Sequence, residues 1–262
     1  MTMIAIYILI GLVTGILAGL LGIGGGVITV PALFYLFHIY NFPPEHLMHT
    51  CIATALATTL MTSIGSTFAH HKKRALLPSV LKIIGPGLII GCIFGAILST
   101  YLSSAFLQIL FGSMSILFAL YFFFPKLPQL HIASKPDKFL FFFGLLVGCL
   151  SSLLGVGGGI FMVPILLGYC ISLQNAVASS SAGTLATALT GTIVYLFIAY
   201  GKPTIPDTIG YIDIPAFLGI GISSLCTTSL GCKLAHTLPQ TITKRIFAIA
   251  LGATGLTMLI SA

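Results

Sequence analysis

Two runs of three glycines, Gly24-Gly25-Gly26 and Gly157-Gly158-Gly159, lie inside long apolar stretches, and each is followed by a proline, Pro31 and Pro164. Glycine inside a helix costs about 1 kcal/mol relative to alanine, so triplets embedded in apolar sequence need a use. Non-helical backbone at membrane depth is tolerated only where it is buried in protein or lines a wet cavity. A helix that starts there aims unpaired N–H groups and the positive end of its dipole at whatever lies beside it, and glycine lets an anion approach the backbone closely. Val27 and Ile160 are the expected first residues of two such half-helices, with Pro31 and Pro164 kinking them or freeing further carbonyls. The soluble readings of this pattern fail on context, since no strand precedes the glycines as a dinucleotide site requires and no Lys-Ser/Thr pair follows them as in a P-loop. Small residues also permit tight helix crossings in membranes, and that is the reading taken for isolated glycines such as Gly95 and Gly219.

Hydroxyls form a second constellation. Thr50, Thr54, Thr58, Thr59, Thr62 and Ser63 fall in one segment, and Ser179, Ser180, Ser181, Thr184, Thr187, Thr190 and Thr192 in another. Most are expected to bond a carbonyl one turn earlier or to bridge helices. Thr54, Ser181, Gly183 and Thr184 are the ones expected to reach a ligand. No Ser/His/Asp or metal-ligand spacing is identifiable, so the sequence suggests no catalytic residue, no metal, no cofactor and no enzyme. The four acids, Glu45, Asp137, Asp207 and Asp213, lie in loops or at segment ends, which points to a carrier without an intramembrane carboxylate, a uniporter driven by membrane potential. His38, His46 and His49 read as solvated interfacial residues, and His70 and His71 as an extension of a basic loop. The six cysteines, without CxxC pairs, read as small packing residues.

The elements that must position these residues follow from composition. Of 262 residues, 57% are hydrophobic and 6% charged, whereas a soluble domain carries about a quarter charged residues. The chain therefore belongs in lipid, with room for eight to ten helical segments. Its formal charge of +7 is not gathered on one wetted face, so no nucleic-acid partner is expected. The apolar stretch from Ile4 lacks a basic start and a cleavage site and reads as a structural segment. Residues 11–37 align with 144–170 at 13 identities in 27 positions, including Gly22 with Gly155, both triplets and both prolines. The expected organisation is one permease domain over 1–262, with repeat 1 at 1–125, a linker at 126–138 and repeat 2 at 139–262. The segments read as 4–21, 27–39, 47–69, 79–99 and 103–124, then 139–154, 160–173, 175–200, 210–232 and 240–261. The piece after each glycine break is too short for a bilayer core of about 30 Å. The fold class is an all-α polytopic membrane protein of two inverted repeats, each a Gly-broken hairpin or re-entrant pair plus three transmembrane helices.

Lys and Arg accumulate in cytoplasmic loops. With each break taken as a turn, Lys72, Lys73, Arg74, Lys82, Lys126, Lys135, Lys138, Lys233, Lys244 and Arg245 share one side and Lys202 stands alone opposite. With the break inside a single crossing, the split becomes eight against three. The cleaner division favours inverted units, both termini outside, and loops 70–82 and 126–138 in the cytoplasm.

The paired segments GLLGIGGGVITVP and SLLGVGGGIFMVP, each followed by a small-residue helix, CIATALATT and SSSAGTLAT, resemble the sulfite exporter TauE/SafE family of membrane permeases over essentially the whole chain. The resemblance implies a multi-pass inner-membrane carrier of small anions, with sulfite, sulfoacetate and other organosulfur or organic anions among the substrates. The family motif falls on Gly22, Gly24, Gly25, Gly26 and Pro31, and on Gly155, Gly157, Gly158, Gly159 and Pro164. The first copy departs from the family's Gly-Thr-Ser-like element, with Ala53-Thr54-Ala55 where the second has Ala182-Gly183-Thr184. The expected partners are a small anionic solute and membrane lipids, with a homo-oligomer left open. The competing reading is a non-transporting accessory or assembly subunit whose glycines serve packing. In a background freed of native cysteines, Thr2→Cys and Lys73→Cys are expected to react with an impermeant maleimide from opposite sides of the membrane; labelling of both from one side would overturn the inverted arrangement.

Overall fold

The computed structural model describes residues 2–22, 24–124, 138–199, 207–237 and 240–261. Among them are ten helices and one two-stranded hairpin. The first five helices are α1 (Thr2–Leu21), α2 (Gly26–Ile39), α3 (Pro44–Lys72), α4 (Pro78–Ser99) and α5 (Ser104–Phe123). The second five are α6 (Phe139–Leu154), α7 (Gly159–Gly168), α8 (Leu173–Ile198), α9 (Ile214–Thr237) and α10 (Gln240–Ile260), with β1 (Thr208–Ile209) and β2 (Ile212–Asp213) between α8 and α9. Among the described residues six helices are long and apolar enough to cross a membrane, and the outer faces of the bundle carry large apolar side chains, with Leu9, Phe94, Phe142 and Ile249 all more than half exposed. This is an all-α polytopic membrane protein. The 126–137 part of the expected linker, and Lys202, lie outside the described residues.

Local chemistry sets the ends of the elements. Pro43-Pro44 and Pro78 open α3 and α4, where a missing N–H costs nothing. Ser103 caps α5 by accepting the Phe106 N–H, and Ser172 caps α8 by accepting that of Asn175. Several expected boundaries shift by one to five residues, α3 running over Pro44–Lys72 and α9 on to Thr237, and two of the shifts have a visible local cause. The short second-unit helix stops at Gly168 rather than 173, because Tyr169, Cys170 and Ile171 turn back to donate to Leu166 and Leu167 carbonyls before the Ser172 cap. The segment expected at 210–232 begins at Ile214, since Gly210 and Asp207 sit at positive φ and fold the preceding residues into the hairpin.

The packing follows one exchange rule. α1 lies along α9 and α6 along α4, while α3 packs on α8 and α5 on α10, and α2 and α7 rest against α3 and α8. Residue pairs give the directions. Gly11, Gly15 and Gly19 face Ile220, Ser224 and Thr228, and Gly87, Gly91 and Gly95 face Phe141, Leu145 and Cys149, so both pairs are parallel. α3 is parallel to α9, with Thr54 at Asp213, Met61 at Gly221 and Ser66 at Cys232. It is antiparallel to α4, since His49 meets Ser99 at one end and the residue 73–77 turn joins them at the other. α5 and α10 are antiparallel, with Gln108 bonded to Ser261 and Gly112 on Gly255. Hence α1, α3 and α9 run one way, and α4 and α6 the other. α3 is the most enclosed span, with buried residues on every side, which is why it is built from Ala, Thr and Ser.

The parallel pairs depend on backbone contact, as in membrane bundles held by small residues. A Cβ at Gly148 would collide with the Leu88 carbonyl oxygen, whereas one at Gly252 would meet only the Ala119 Cβ, at an ordinary 3.7 Å. Gly148→Ala is expected to destabilise the protein by about 1–3 kcal/mol through overpacking, and Gly252→Ala to stabilise it by about 0.5–1 kcal/mol through backbone entropy. Thermal unfolding of the detergent-solubilised protein checks both, and equal melting temperatures would refute the packing assignment.

Candidate functional site

The two glycine breaks are built alike except at their N-caps, where Gly25 has φ −78° and Gly158 φ 82°. Gly22 and Gly24 have φ of 66° and 78°, and Gly155, Gly157 and Gly158 have φ of 70°, 75° and 82°, a region side chains avoid and glycine adopts freely. After each break a short helix begins at Gly26 and at Gly159, one residue ahead of the expected Val27 and Ile160, with Gly25 and Gly158 as N-cap residues. The Gly25 carbonyl accepts from Ile28 and Thr29 N–H at 3.1 and 3.0 Å, and the Gly158 carbonyl from Phe161 and Met162 N–H at 3.2 and 3.0 Å. At 14 and 10 residues, the short helices span only about 21 and 15 Å. Pro31 and Pro164 lie inside them.

The breaks touch one another. Gly26 packs on the carbonyl of Gly155 and on Val156, so closely that a Cβ would collide with both. Gly24 sits between two threonines of the enclosed helices: a Cβ there would meet Thr59 Cγ2 at 2.6 Å and Thr184 Cγ2 at 3.0 Å. Hydroxyls from α8 satisfy carbonyls that the breaks release. Ser180 Oγ donates to the Gly22 carbonyl at 3.1 Å and Thr187 Oγ1 to that of Gly157 at 2.8 Å. Beside the first break lies a cavity of about 20 Å³, lined among others by Thr14, Gly24, Gly25, Val27, Ile28 and Phe247, room for about one water molecule.

The expected ligand-binding residues divide. Gly24, Gly25 and Thr184 gather at the junction. Thr184 is wholly buried and its hydroxyl has no partner, and the same holds for Thr59. Gly157, Gly158 and Gly159 form the second turn, with Gly158 beside Ser151 and Thr187. Gly26 is occupied by its contact with Gly155. Thr54 accepts the Asp213 N–H at 3.0 Å, Ser181 donates to the Ala178 carbonyl one turn earlier at 2.7 Å, and Gly183 packs against the Met162 sulfur. Thr50, Thr58, Thr62 and Ser63 likewise donate back along α3.

Sequence reasoning missed four residues. Thr59 was one hydroxyl among many, and only its place beside Gly24 distinguishes it. Asp213, read as a segment end, is 4% exposed and caps α9 by accepting the Ala216 N–H at 2.7 Å; an acid two residues before Pro215 is a legible N-cap signal. Burial pushes its carboxyl above the usual carboxylate range, with the neighbouring Asp207 adding to the rise and the Ala216 bond opposing it. His49 is buried rather than solvated, its Nε2 2.9 Å from the Ser99 carbonyl oxygen. His70 belongs to α3 rather than to a loop, buried with Nε2 3.8 Å from Cys232 Sγ.

A model of the sulfite exporter TauE/SafE family matches residues 7–258. The chain is 32% identical over 252 residues to a "Probable membrane transporter protein" of Haemophilus influenzae, covering 95% of this chain and 96% of the relative. It is 31% identical over 268 residues to a protein of the same description from Methanocaldococcus jannaschii, covering 98% and 96%. A Bacillus subtilis relative, also described as a probable membrane transporter, is 23% identical over 261 residues, covering 97% and 99%. No solved structure matches the chain.

A buried hydroxyl without a partner costs about 1–3 kcal/mol, and its isosteric removal returns part of that. Thr59→Val and Thr184→Val are therefore expected to leave the melting temperature of the ligand-free protein unchanged or raised. Thr187→Val, which strips the bond to Gly157, is expected to destabilise by about 1–2 kcal/mol. A fall for the first two as large as for the third would show that they are structural.

Proposed function

The chain belongs to the sulfite exporter TauE/SafE family and is a multi-pass membrane transporter, and on that premise we propose that it is a permease of small anions such as sulfite and sulfoacetate. The observation that carries this reading is the junction itself. Gly26, the first residue of α2, abuts Gly155 at the end of α6, three residues before the Gly158 cap of α7, and Thr59 and Thr184, whose methyl groups flank Gly24, carry buried hydroxyls without partners. First-turn N–H groups, the positive ends of two short helices and two donor hydroxyls are what an oxyanion needs when no charged side chain is at hand. Of the ten residues expected to bind it, Gly24, Gly25, Gly157, Gly158 and Thr184 are kept in this reading, Gly26, Thr54, Gly159, Ser181 and Gly183 are left to packing and local hydrogen bonds, and Thr59 is added.

The opposite directions of α1 and α6, and the exchange of partners between helices 1–5 and 6–10, support an inverted duplication of residues 1–125 and 139–262. Alternating access then comes from one unit moving against the other about the junction. The charge distribution supports an inner-membrane arrangement with both termini outside and the 70–82 and 126–138 loops in the cytoplasm.

The test is flux of radiolabelled sulfoacetate in proteoliposomes. A hydrogen bond to a charged group is worth about 1.5–3 kcal/mol, so Thr59→Val and Thr184→Val should each weaken apparent affinity about tenfold or more while the proteins stay folded. Unchanged flux in both variants would place the site elsewhere, and absence of flux for sulfoacetate and sulfite in the wild type, together with stable co-purification of a partner, would favour an accessory subunit instead.

A further inference from the structure

One end of the bundle gathers titratable groups that the junction does not use. Asp213, at the mouth of α9, and His49 and Tyr211 are all at least nine-tenths buried. The Tyr211 ring lies 5.7 Å from both His46 and His49, which are 6.5 Å from each other. Of the groups facing Asp213, α1 contributes Tyr7 and α3 Cys51, both within its electrostatic reach, and Asp207 lies in its own hairpin. At the same end stand Tyr40 after α2, the exposed Glu45 and half-buried His46 of α3, and Tyr195 of α8, which donates to Ser99 Oγ beside His49. No lysine or arginine among the described residues is paired with the carboxylate. Asp213 is thus a buried acid at the edge of the spans, at the same end of the bundle as the half-buried His46.

It also stands near the proposed anion site, tied to it through its backbone amide rather than its carboxyl. Its N–H bonds Thr54 Oγ1, and Thr54 stands on α3 five residues before Thr59, about 7.5 Å along the same rigid helix. We infer that Asp213 takes up a proton whenever an anion occupies the junction, so that anion and proton cross together as symported ions. The combination disfavoured inside a low-dielectric bundle is carboxylate and anion together. An anion at the junction therefore raises the proton affinity of Asp213, and by reciprocity the protonated carboxyl raises affinity for the anion. The proton comes from water on the side where the site is open and leaves to water on the other. Burial shifts the carboxyl's proton affinity upward from its ordinary value, the direction this coupling requires. This replaces the potential-driven uniporter expected when every acid was taken for a loop residue, and it rests on the permease reading.

The experiment uses proteoliposomes with the membrane potential clamped to zero and radiolabelled sulfoacetate, which does not titrate near neutral pH. With one proton per anion, an acid-outside gradient of one pH unit should raise steady-state accumulation about tenfold in the wild type, one pH unit being worth a factor of ten, and a trapped pH dye should report acidification of the lumen. Asp213→Asn and Asp213→Ser both keep a side-chain acceptor for the α9 cap, and both should lose the tenfold effect and the dye signal, with transport answering to an imposed potential instead. Wild-type flux without proton movement, or proton movement persisting in both variants, would overturn the inference. A second readout is independent of substrate: infrared titration of the solubilised protein should show a protonated carboxyl persisting above the ordinary Asp range that Asp213→Asn removes. If the wild type moves no sulfoacetate, the permease reading fails for that anion, and this band alone decides the proton site: its loss in the variant upholds it, and its persistence overturns it.

Discussion

The structure depends on a constraint imposed by its surroundings: backbone polar groups released inside a bilayer find no water there. Two interrupted helices therefore cannot stand alone. Ser180 and Thr187 supply donors to the freed carbonyls of Gly22 and Gly157, and both come from α8, which must run directly behind the breaks to do so. α3 must lie opposite to bring Thr59 to Gly24. The most hydroxyl-rich helices of the chain are consequently at its centre and the most apolar faces at its rim. This inverts the arrangement of a water-soluble domain while obeying the same rule of satisfying buried donors and acceptors.

Close approach is the second requirement, and it explains why glycine appears in rows as well as in triplets. The rows at Gly11, Gly15, Gly19 and at Gly87, Gly91, Gly95 bring α1 onto α9 and α4 onto α6 at backbone distance. In lipid, where apolar association has little drive, such contact is what dispersion forces and helix packing have to offer. The triplets serve a different end. Their positive φ values turn the chain, and only the meeting of Gly26 with Gly155 is a packing contact of the same kind.

Much of this was legible in the sequence. The breaks, the short helices behind them and the membrane class all follow from glycine costs and apolar length, which are local quantities. The isolated glycines were correctly read as crossings, and Gly95 does rest on the Cys149 backbone. Burial of particular polar side chains was not legible, because it depends on which helix comes to lie alongside. Thr54 looked like a ligand contact until Asp213 arrived to occupy it. His49 looked solvated until α4 ended beside it, and Asp213 looked like a loop residue until the hairpin folded it under α3. Nor could spacing separate Thr59 from Thr58, since adjacent residues on a helix point in different directions and only the neighbour chosen by the fold tells them apart.

The exchange of partners between the two sets of helices bears on how the protein is made. α1 leaves the ribosome well before α9, yet α9 is the helix that covers its glycine row. Through most of synthesis that row faces lipid or a chaperoning insertase, and neither half possesses a complete set of neighbours by itself. Assembly is therefore a late and concerted event. A chain cut before α9 would leave its opening helix stranded, and two separately produced halves could rebuild the molecule only by finding each other in the membrane.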